Sequence, residues 1–433
     1  MQSVRNLMFS CLALVLFVAL SGQAFSSTVA VGTCTPKVIS FSTIQEAVND
    51  APSGSTIKVC PGIYPEQVTI TSKNLTLIGV GPTASTVTVP SGGLVKNGVD
   101  LADFPVLDVA AQILVQNSAV TISHLTVDGA GNGLDGCGGV NLLGIYYENS
   151  SGTITDNAVR NQITPTNVGC GLGFGIYVAS NTGTPAVTIS NNSVHNYGKN
   201  GILATGVGSN TPGPVATVKG NTVVGIGATT LIAQNGIQLS LLATGSITSN
   251  FVTDNVYANP SNCGTAGAPQ CWGSSGILLY ASNGVAVTSN TVETSQLGIV
   301  PVTDPNYGSG DKTQIKSNHI GGTQTYDAID LCSNSNTVQS NVIYGSAESA
   351  IHEDDSCGGT GNNNVITSNT INEACAGILL GTGTTSSNIS NTFMNVDYVT
   401  LAGDVCTPPV TGPTSDAMAT GSHAKSHSLR PSH

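Results

Sequence analysis

The sequence predicts an all-β solenoid, in which short coils of β-strand stack on one another, and two repeating phrases predict it. The first phrase is an apolar residue, two spacers, an asparagine, one residue and another apolar residue. It recurs at Asn157, Asn192, Asn221, Asn250, Asn290, Asn318, Asn341, Asn369 and, more loosely, Asn391. The second begins with Gly-Ile or Ala-Ile, at Gly144, Gly175, Gly201, Gly236, Gly276, Gly298, Ala328, Ala350 and Gly377. A shortest period of about 22 residues, with two strand-like segments and no helical pattern, is typical of stacked β-coils.

The composition fits this stack. Each coil lays its strands on those of the preceding coil, about 4.8 Å away, and alternate apolar side chains fill one narrow core. The sharp corners suit residues that tolerate left-handed backbone angles, such as glycine and asparagine, and the chain contains 52 glycines. An asparagine at the same place in every coil can stack its amide on the next. We therefore assign the nine asparagines a structural role and no chemistry.

The first 24 residues are typical of a signal peptide. Arg5 supplies the positive start, residues 7–20 form an apolar run, and Gly22 and Ala24 offer a small-residue cleavage site. An uncleaved anchor is the alternative, but the run is short for a membrane span and no second such segment follows. We expect a secreted protein, either extracellular or periplasmic, in which residues 25–40 lead into the solenoid.

The solenoid is expected over residues 41–402, with a short helix at 41–51 as its N-terminal cap. Ser42 and Gln45 have the spacing of a capping box, and apolar residues follow at helical intervals. Such a helix would cover the core of the first coil. Leu125 occupies the asparagine position of an early coil. Residues 403–433 are rich in Pro, Ser, Thr and His and are expected to be a disordered tail, although His423, His427 and His433 offer a weak metal-binding alternative.

Ten cysteines remain after the signal segment, and none forms a CxxC motif, which argues against a zinc or redox site. In an oxidising compartment, pairing in sequence order would pin single loops or join neighbouring coils. The expected pairs are Cys34–Cys60, Cys137–Cys170, Cys263–Cys271, Cys332–Cys357 and Cys375–Cys406, although the sequence leaves other connectivities open.

These phrases resemble the repeats of right-handed parallel β-helix proteins of the pectate-lyase-like superfamily. The ITSNTI and GILL segments carry the resemblance, and the opening FSTIQEAVNDAPSGSTIKVCPGIYPEQVTI is similar to the N-terminal segment of pectin methylesterases. The resemblance implies a single-stranded right-handed parallel β-helix of about ten or more coils. It also implies action on, or binding to, plant or microbial polysaccharides. The repeat marks the core and leaves the site unspecified.

No catalytic residue carries over from the enzymatic subfamilies. The Gln-Asp pair and DFIFG-like segment of pectin methylesterases are missing from the sequence. Of the polygalacturonase elements, only the Asp-Asp pair has a counterpart, at Asp354-Asp355. Pectate lyases use an Arg or Lys base with Asp-bound calcium, whereas no Arg lies in the Gly-Ile phrases here. The subfamily therefore stays unidentified.

The charge of the chain limits its partners. Twelve basic and 24 acidic residues give a net charge of −12, without a basic run, so nucleic acid is not an expected partner. A strongly anionic polysaccharide would be repelled unless calcium bridged it. Neutral or weakly charged glycans are the expected ligands, and no feature of the sequence indicates an oligomeric state.

Long insertions bracket both ends of the Gly-Ile strands, which predicts a groove on that face. If each isoleucine points inward, the next residue points outward. We expect substrate binding by Tyr146, Tyr177, Gln238, Tyr280 and Asp327, of which the tyrosines offer faces for sugar rings. The alternative is that the inserted loops fold back over this face and simply cover its outward residues.

The far end of the same face is acidic, and its residues are the candidate catalytic groups. Asp330 and His352 fall at equivalent positions on adjacent coils, and Asp354 lies two residues further on. This predicts about 8 Å between Asp330 and Asp354, a separation that suits inverting glycoside hydrolysis. Asp354 would be the acid, Asp330 the base acting on water, and His352 would orient the substrate or share the proton.

Two alternatives to catalysis are open for this cluster. Asp327, Asp330 and Asp354 could instead bind calcium, a hard cation that takes carboxylate oxygens, or the cluster could be a solvated patch beside a Cys332–Cys357 bridge. At the level of the whole protein, two functional classes therefore remain: a secreted glycosidase or lyase, and a non-catalytic β-helix that binds glycans or surfaces.

Overall fold

We analysed a computed structural model of the chain. It describes residues 27–81, 83–102, 107–134, 139–164, 172–208, 211–258, 273–322, 326–357, 359–403 and 405–406. The expected signal segment and most of the expected tail lie outside these residues. Within them the protein is built from strands and one short helix, stacked as a parallel β-helix.

One face of the stack is a fourteen-stranded sheet that begins each coil. Its parallel strands follow the chain, apart from an exchange of the first two. Its strands are β1 (Thr28–Val31), β2 (Ile39–Phe41), β3 (Ser55–Val59), β6 (Leu75–Gly79), β10 (Ala119–Ser123), β13 (Ser151–Thr155), β16 (Ala186–Ser190), β19 (Val215–Lys219), β22 (Thr244–Thr248), β25 (Ala286–Thr288), β28 (Gln314–Lys316), β31 (Thr337–Gln339), β33 (Val365–Thr367) and β35 (Ser387–Ile389).

A 22-stranded sheet forms the other two faces. The second face contains β4 (Gly62–Pro65), β7 (Ser85–Thr88), β11 (Leu125–Asp128), β14 (Ala158–Gln162), β17 (Ser193–Tyr197), β20 (Thr222–Thr229), β23 (Phe251–Tyr257), β26 (Thr291–Glu293) and β29 (His319–Gly321). The third, which we call the GI face, contains β5 (Val68–Thr71), β8 (Gly98–Val99), β9 (Asp108–Gln116), β12 (Val140–Glu148), β15 (Gly173–Ala179), β18 (Asn200–Thr205), β21 (Asn235–Ser240), β24 (Ser275–Tyr280), β27 (Leu297–Val302) and β30 (Ile329–Asp330). In the last coils single long strands span both faces: β32 (Val342–Glu353), β34 (Thr370–Leu380) and β36 (Thr392–Ala402).

The predicted asparagine ladder is confirmed. From Asn157 to Asn391, each side-chain Nδ2 donates to the Oδ1 of the next asparagine at 2.9–3.0 Å. Leu125 occupies the position before Asn157, whose Oδ1 accepts its backbone N–H at 3.0 Å. A second, shorter ladder joins Asn336 to Asn364. The sequence does not predict this ladder, because its phrase does not repeat.

The residue before each ladder position has a left-handed backbone conformation, but it is rarely a glycine or an asparagine. The preceding residue has a φ near +60°, and in most coils it is a serine, as at Ser289 and Ser317. Such a backbone angle is unfavourable for non-glycine residues, and the ladder hydrogen bonds offset this cost. The isoleucines of the Gly-Ile phrases point inward as predicted and are buried in one continuous core.

The N-terminal cap is a helix, α1 (Ile44–Asp50), which is shorter than the predicted 41–51. Its capping box joins Thr43 and Glu46, one residue beyond the predicted pair of Ser42 and Gln45. The register moves because Ile44 must be the first buried residue of the helix. The carboxylate of Glu66 then accepts the N–H groups of Ile44 and Gln45, both at 2.9 Å.

Three of the expected disulfides are present: Cys34–Cys60, Cys332–Cys357 and Cys375–Cys406. The cysteines of the other two expected pairs include residues outside the described part of the chain, so those pairs stay predictions. Disulfides are typical of oxidising compartments. No helix in the described residues is both long and apolar enough to cross a membrane.

Candidate functional site

The outward row of the GI face lies in one line, as predicted, but it is not an open groove floor. Strand pairing aligns Asp330 with His352, and it aligns the residues that follow the inward isoleucines, namely Tyr146, Tyr177, Leu203, Gln238, Leu278 and Val300. The exposed fractions of these residues lie between 0% and 6%. Leu101 and Leu172 pack over the first part of the row. The expectation of an exposed floor is therefore corrected, because segments between the strands fold back and bury it.

A cavity of about 50 Å³ remains on this face. Three of the five residues predicted to bind substrate line it, namely Tyr177, Gln238 and Tyr280. The fourth, Tyr146, lies behind Tyr177, with ring centroids 5.1 Å apart. The fifth, Asp327, belongs to the acidic cluster at the later end of the face. The structure therefore brings together the aromatic and amide part of the prediction and separates Asp327 from it.

The polar side chains around the cavity are held by hydrogen bonds. Gln238 Oε1 accepts from the Nδ2 atoms of Asn200, at 2.7 Å, and Asn235, at 3.0 Å, while its Nε2 donates to Ser240 Oγ at 2.6 Å. The Tyr177 hydroxyl donates to Asp100 Oδ1 at 2.6 Å. These bonds fix the orientation of the amide and the ring before any ligand arrives.

Lys199 places a buried amine at the same cavity. Its Nζ donates to the backbone oxygen of Ala233 at 2.8 Å, and the residue is 5% exposed. Burial disfavours the charged form and lowers the pKa of Lys199 from 10.5 to about 8.

Asp100, Lys199 and Asn200 are not among the residues predicted from the sequence. Asp100 comes from an early segment and reaches Tyr177 across a separation that no local pattern reveals. Lys199 and Asn200 carry a usable signal, because they precede Gly201 just as Gln234 and Asn235 precede Gly236. Pairing of Asn200 with Asn235 confirms that register.

The acidic cluster gathers Asp327, Asp330, His352 and Asp354 at the later end of the GI face. Asp330 pairs with His352 on the next coil, as predicted. Asp327 Oδ2 lies 3.1 Å from His352 Nδ1, and its Oδ1 accepts from the backbone N–H and hydroxyl of Ser349. Asp354 Oδ1 accepts from the N–H and hydroxyl of Ser356.

Burial and mutual repulsion dominate the electrostatics of the cluster. Burial and then the charge of Asp354 raise the pKa of Asp330 well above its usual range. Burial, followed by the charge of Asp327, also raises the pKa of Glu348 to about 8. For His352 burial acts in the opposite direction, but the charge and hydrogen bond of Asp327 outweigh it and raise its pKa to about 10.

The distances in the cluster differ from those expected for inverting hydrolysis. An oxygen of Asp330 lies within 4.8 Å of one of Asp354, rather than at about 8 Å, because both side chains turn toward the Cys332–Cys357 bridge. Inverting enzymes separate their carboxyl groups by about 6.5–9.5 Å to admit water. Asp330, His352 and Asp354 are at most 2% exposed, so they are buried rather than facing a groove or solvent.

The oxygens of Asp327 are also poorly placed for the calcium site considered from the sequence. Both already bond within the protein, to Ser349 and His352. The carboxylates of Asp330 and Asp354 and the imidazole of His352 are the groups of this cluster that suit a cation.

The chain is similar to one protein family model and to several solved structures. Residues 216–407, less than half of the chain, match a family model described as "Periplasmic copper-binding protein (NosD)". A lacto-N-biosidase of family GH136 from Eubacterium ramulus is similar in structure, with a TM-score of 0.56 and 11% identity, over 86% of this chain and 67% of that one. The A-module of mannuronan C-5 epimerase AlgE4 from Azotobacter vinelandii matches at a TM-score of 0.42 and 14% identity, over 84% and 92% of the two chains. No curated protein sequence matches significantly.

Proposed function

We propose that this chain, a right-handed parallel β-helix repeat protein, is a secreted carbohydrate-active protein that binds a glycan at the cavity of the GI face. The observation that carries the proposal is the convergence of Tyr177, Lys199, Gln238 and Tyr280 on one cavity. Sugars present hydroxyl groups that donate and accept hydrogen bonds next to apolar C–H faces. An amide, an amine and two aromatic rings match both kinds of surface.

The size of the cavity limits how a glycan binds. A volume of about 50 Å³ holds a few water molecules, or one substituent of a sugar ring. A hydroxymethyl or acetamido group fits this space, with the ring lying at the mouth. We therefore infer recognition of a protruding or terminal sugar substituent, and the net charge of −12 favours neutral over polyanionic glycans.

Glycan binding at the cavity is better supported than hydrolysis by Asp330, His352 and Asp354. These three residues are buried, and the cavity is lined by other residues. The lacto-N-biosidase shows that a carbohydrate-active enzyme can have this fold, which is compatible with the proposal. Export is supported by the disulfides, by the expected signal segment and by the periplasmic location in the name of the matched family.

A glycan panel with the purified protein tests this proposal. We expect binding of a neutral glycan, and Gln238→Leu should weaken it about tenfold or more because the amide can no longer pair with the sugar. Gln314→Leu is the matched control, since Gln314 is exposed on β28 of the opposite sheet. The proposal fails if no glycan binds, or if both variants bind as tightly as the wild type. Products released by the wild type and lost in Asp330→Asn would instead establish hydrolysis at the acidic cluster.

A further inference from the structure

We propose that Asp330, His352 and Asp354 form a binding site for one divalent first-row transition-metal ion, with Asp327 holding the histidine in orientation. This site is separate from the glycan cavity and does not depend on it. It would place an ion between adjacent coils, beside the Cys332–Cys357 disulfide.

Two donor atoms of the cluster lack partners, which is the observation that points to a ligand. His352 Nε2 and Asp354 Oδ2 are buried and have no hydrogen-bond partner in the part of the chain that the structure describes. The residues are 1% and 0% exposed. Buried polar atoms are nearly always paired, so these two open atoms indicate a missing partner. A cation satisfies a carboxylate oxygen and an imidazole nitrogen together, which a hydrogen-bond donor does not.

Asp330 is the residue on which the proposed site centres. One ligand atom each from Asp327, Asp330 and His352 lie within 4.8 Å of one another, and Asp330 and Asp354 belong to a second such group. Ligands about 2.0–2.2 Å from one ion are separated by at most about 4.4 Å. The proposal therefore places the ion at Asp330 and requires the side chains of His352 and Asp354 to rotate toward it.

Asp327 acts on the metal through His352. Its Oδ2 lies 3.1 Å from His352 Nδ1, so the hydrogen bond fixes the ring and leaves Nε2 for the ion. Metal-binding histidines commonly make this bond to a carboxylate, which orients the ring and raises its basicity. The two bonds from Ser349 hold Asp327 in turn.

The donor set selects the class of metal. One imidazole nitrogen with two carboxylates suits zinc, copper, nickel or iron better than calcium, which takes oxygen ligands. Cys332 and Cys357 are disulfide-bonded and do not serve as thiolate ligands. Among the described residues, no lysine or arginine forms an ion pair with the cluster, so a dication would balance its excess negative charge.

The test uses full-length mature protein in which the tail histidines His423, His427 and His433 are replaced by alanine, so that the tail cannot supply ligands. After chelation, Zn²⁺ is added and binding is measured by calorimetry. We expect one equivalent to bind and to raise the melting temperature, with no such effect of Ca²⁺. His352→Gln and Asp354→Asn should each weaken binding about 100-fold or more, and Asp327→Asn about 10- to 100-fold.

Asp355→Asn is the matched control, because it makes the same chemical change one residue beyond Asp354 and should leave Zn²⁺ binding unchanged. Co²⁺ provides a readout that needs no variant to fold, because Co²⁺ bound at a site of low coordination number has visible d–d bands stronger than those of aqueous Co²⁺. The proposal is overturned if the parent protein neither binds Zn²⁺ nor changes the Co²⁺ spectrum. It is equally overturned if His352→Gln and Asp354→Asn fold and bind Zn²⁺ as tightly as Asp355→Asn.

Discussion

Burial of Lys199 links the cavity to the stability of the fold at the scale of a single residue. Its amine is charged at neutral pH, although burial lowers the pKa from 10.5 to about 8. Keeping such a charge in the interior costs about 3 kcal/mol relative to an exposed lysine. A buried charge that the fold tolerates at this cost is typical of a functional position rather than of a core.

Lys199 predicts a pH dependence of stability with a definite sign. Between about pH 8 and pH 10.5 the unfolded chain binds the proton that the folded protein has released, so the free energy of unfolding should rise with pH. Lys199→Met should remove this rise and be more stable than the wild type near pH 7. Denaturant unfolding of both proteins at several pH values measures the difference, in which contributions from other groups cancel.

Lys219→Met is the control for this measurement, because Lys219 is exposed at the end of β19. It should follow the wild type at every pH. A pH-independent difference between Lys199→Met and the wild type would contradict the assigned pKa.

At the scale of elements, the cap helix depends on local hydrogen bonds more than the coils do. The Thr43 hydroxyl accepts the Glu46 N–H at 3.1 Å, and α1 has only seven residues to bury against the first coils. Thr43→Ala should therefore reduce the free energy of unfolding by about 1 kcal/mol. Ser42→Ala, at the capping position expected from the sequence, should have no effect in the same assay. Equal losses from the two variants would show that the box does not cap the helix.

The elements that could be predicted from the sequence are those that repeat. The ladder from Asn157 to Asn391 and the inward isoleucines follow from a local phrase that the stack copies, so their positions hold without knowledge of the rest of the chain. The observed capping box lies one residue beyond the predicted one, because serine and threonine, here Ser42 and Thr43, are chemically equivalent as caps. Packing of Ile44 decides between them, and a single sequence does not show packing.

The candidate site was only partly predictable, because burial and long-range contacts determine it. Alternation placed Tyr177, Gln238 and Tyr280 on the correct face and aligned Asp330 with His352. Periodicity does not say whether the intervening segments leave that face open, and here they cover it. The contribution of Asp100, from outside the repeats, had no signal in the sequence.

At the scale of the whole molecule, the stack is nearly one-dimensional, so each coil contacts chiefly its neighbours. The ladder shows this directly. Asn290 accepts from Asn250 on one side and donates to Asn318 on the other, and it is buried. Asn391 ends the described ladder and accepts from Asn369, and it is only half-buried. The same substitution at these two positions should therefore have different consequences.

We expect Asn290→Leu to lower the free energy of unfolding by about 3–5 kcal/mol, since it leaves the backbone N–H of Asn250 and the carbonyl of Ile247 buried without partners. Asn391→Leu removes equivalent bonds to Asn369 and Ile366, but water reaches that end of the stack and replaces part of them. Its cost should be about half as large or less. Denaturant unfolding compares the two variants, with far-UV circular dichroism to confirm that both fold. Equal losses would mean that position in the stack does not matter and that the ladder does not act through burial between neighbouring coils.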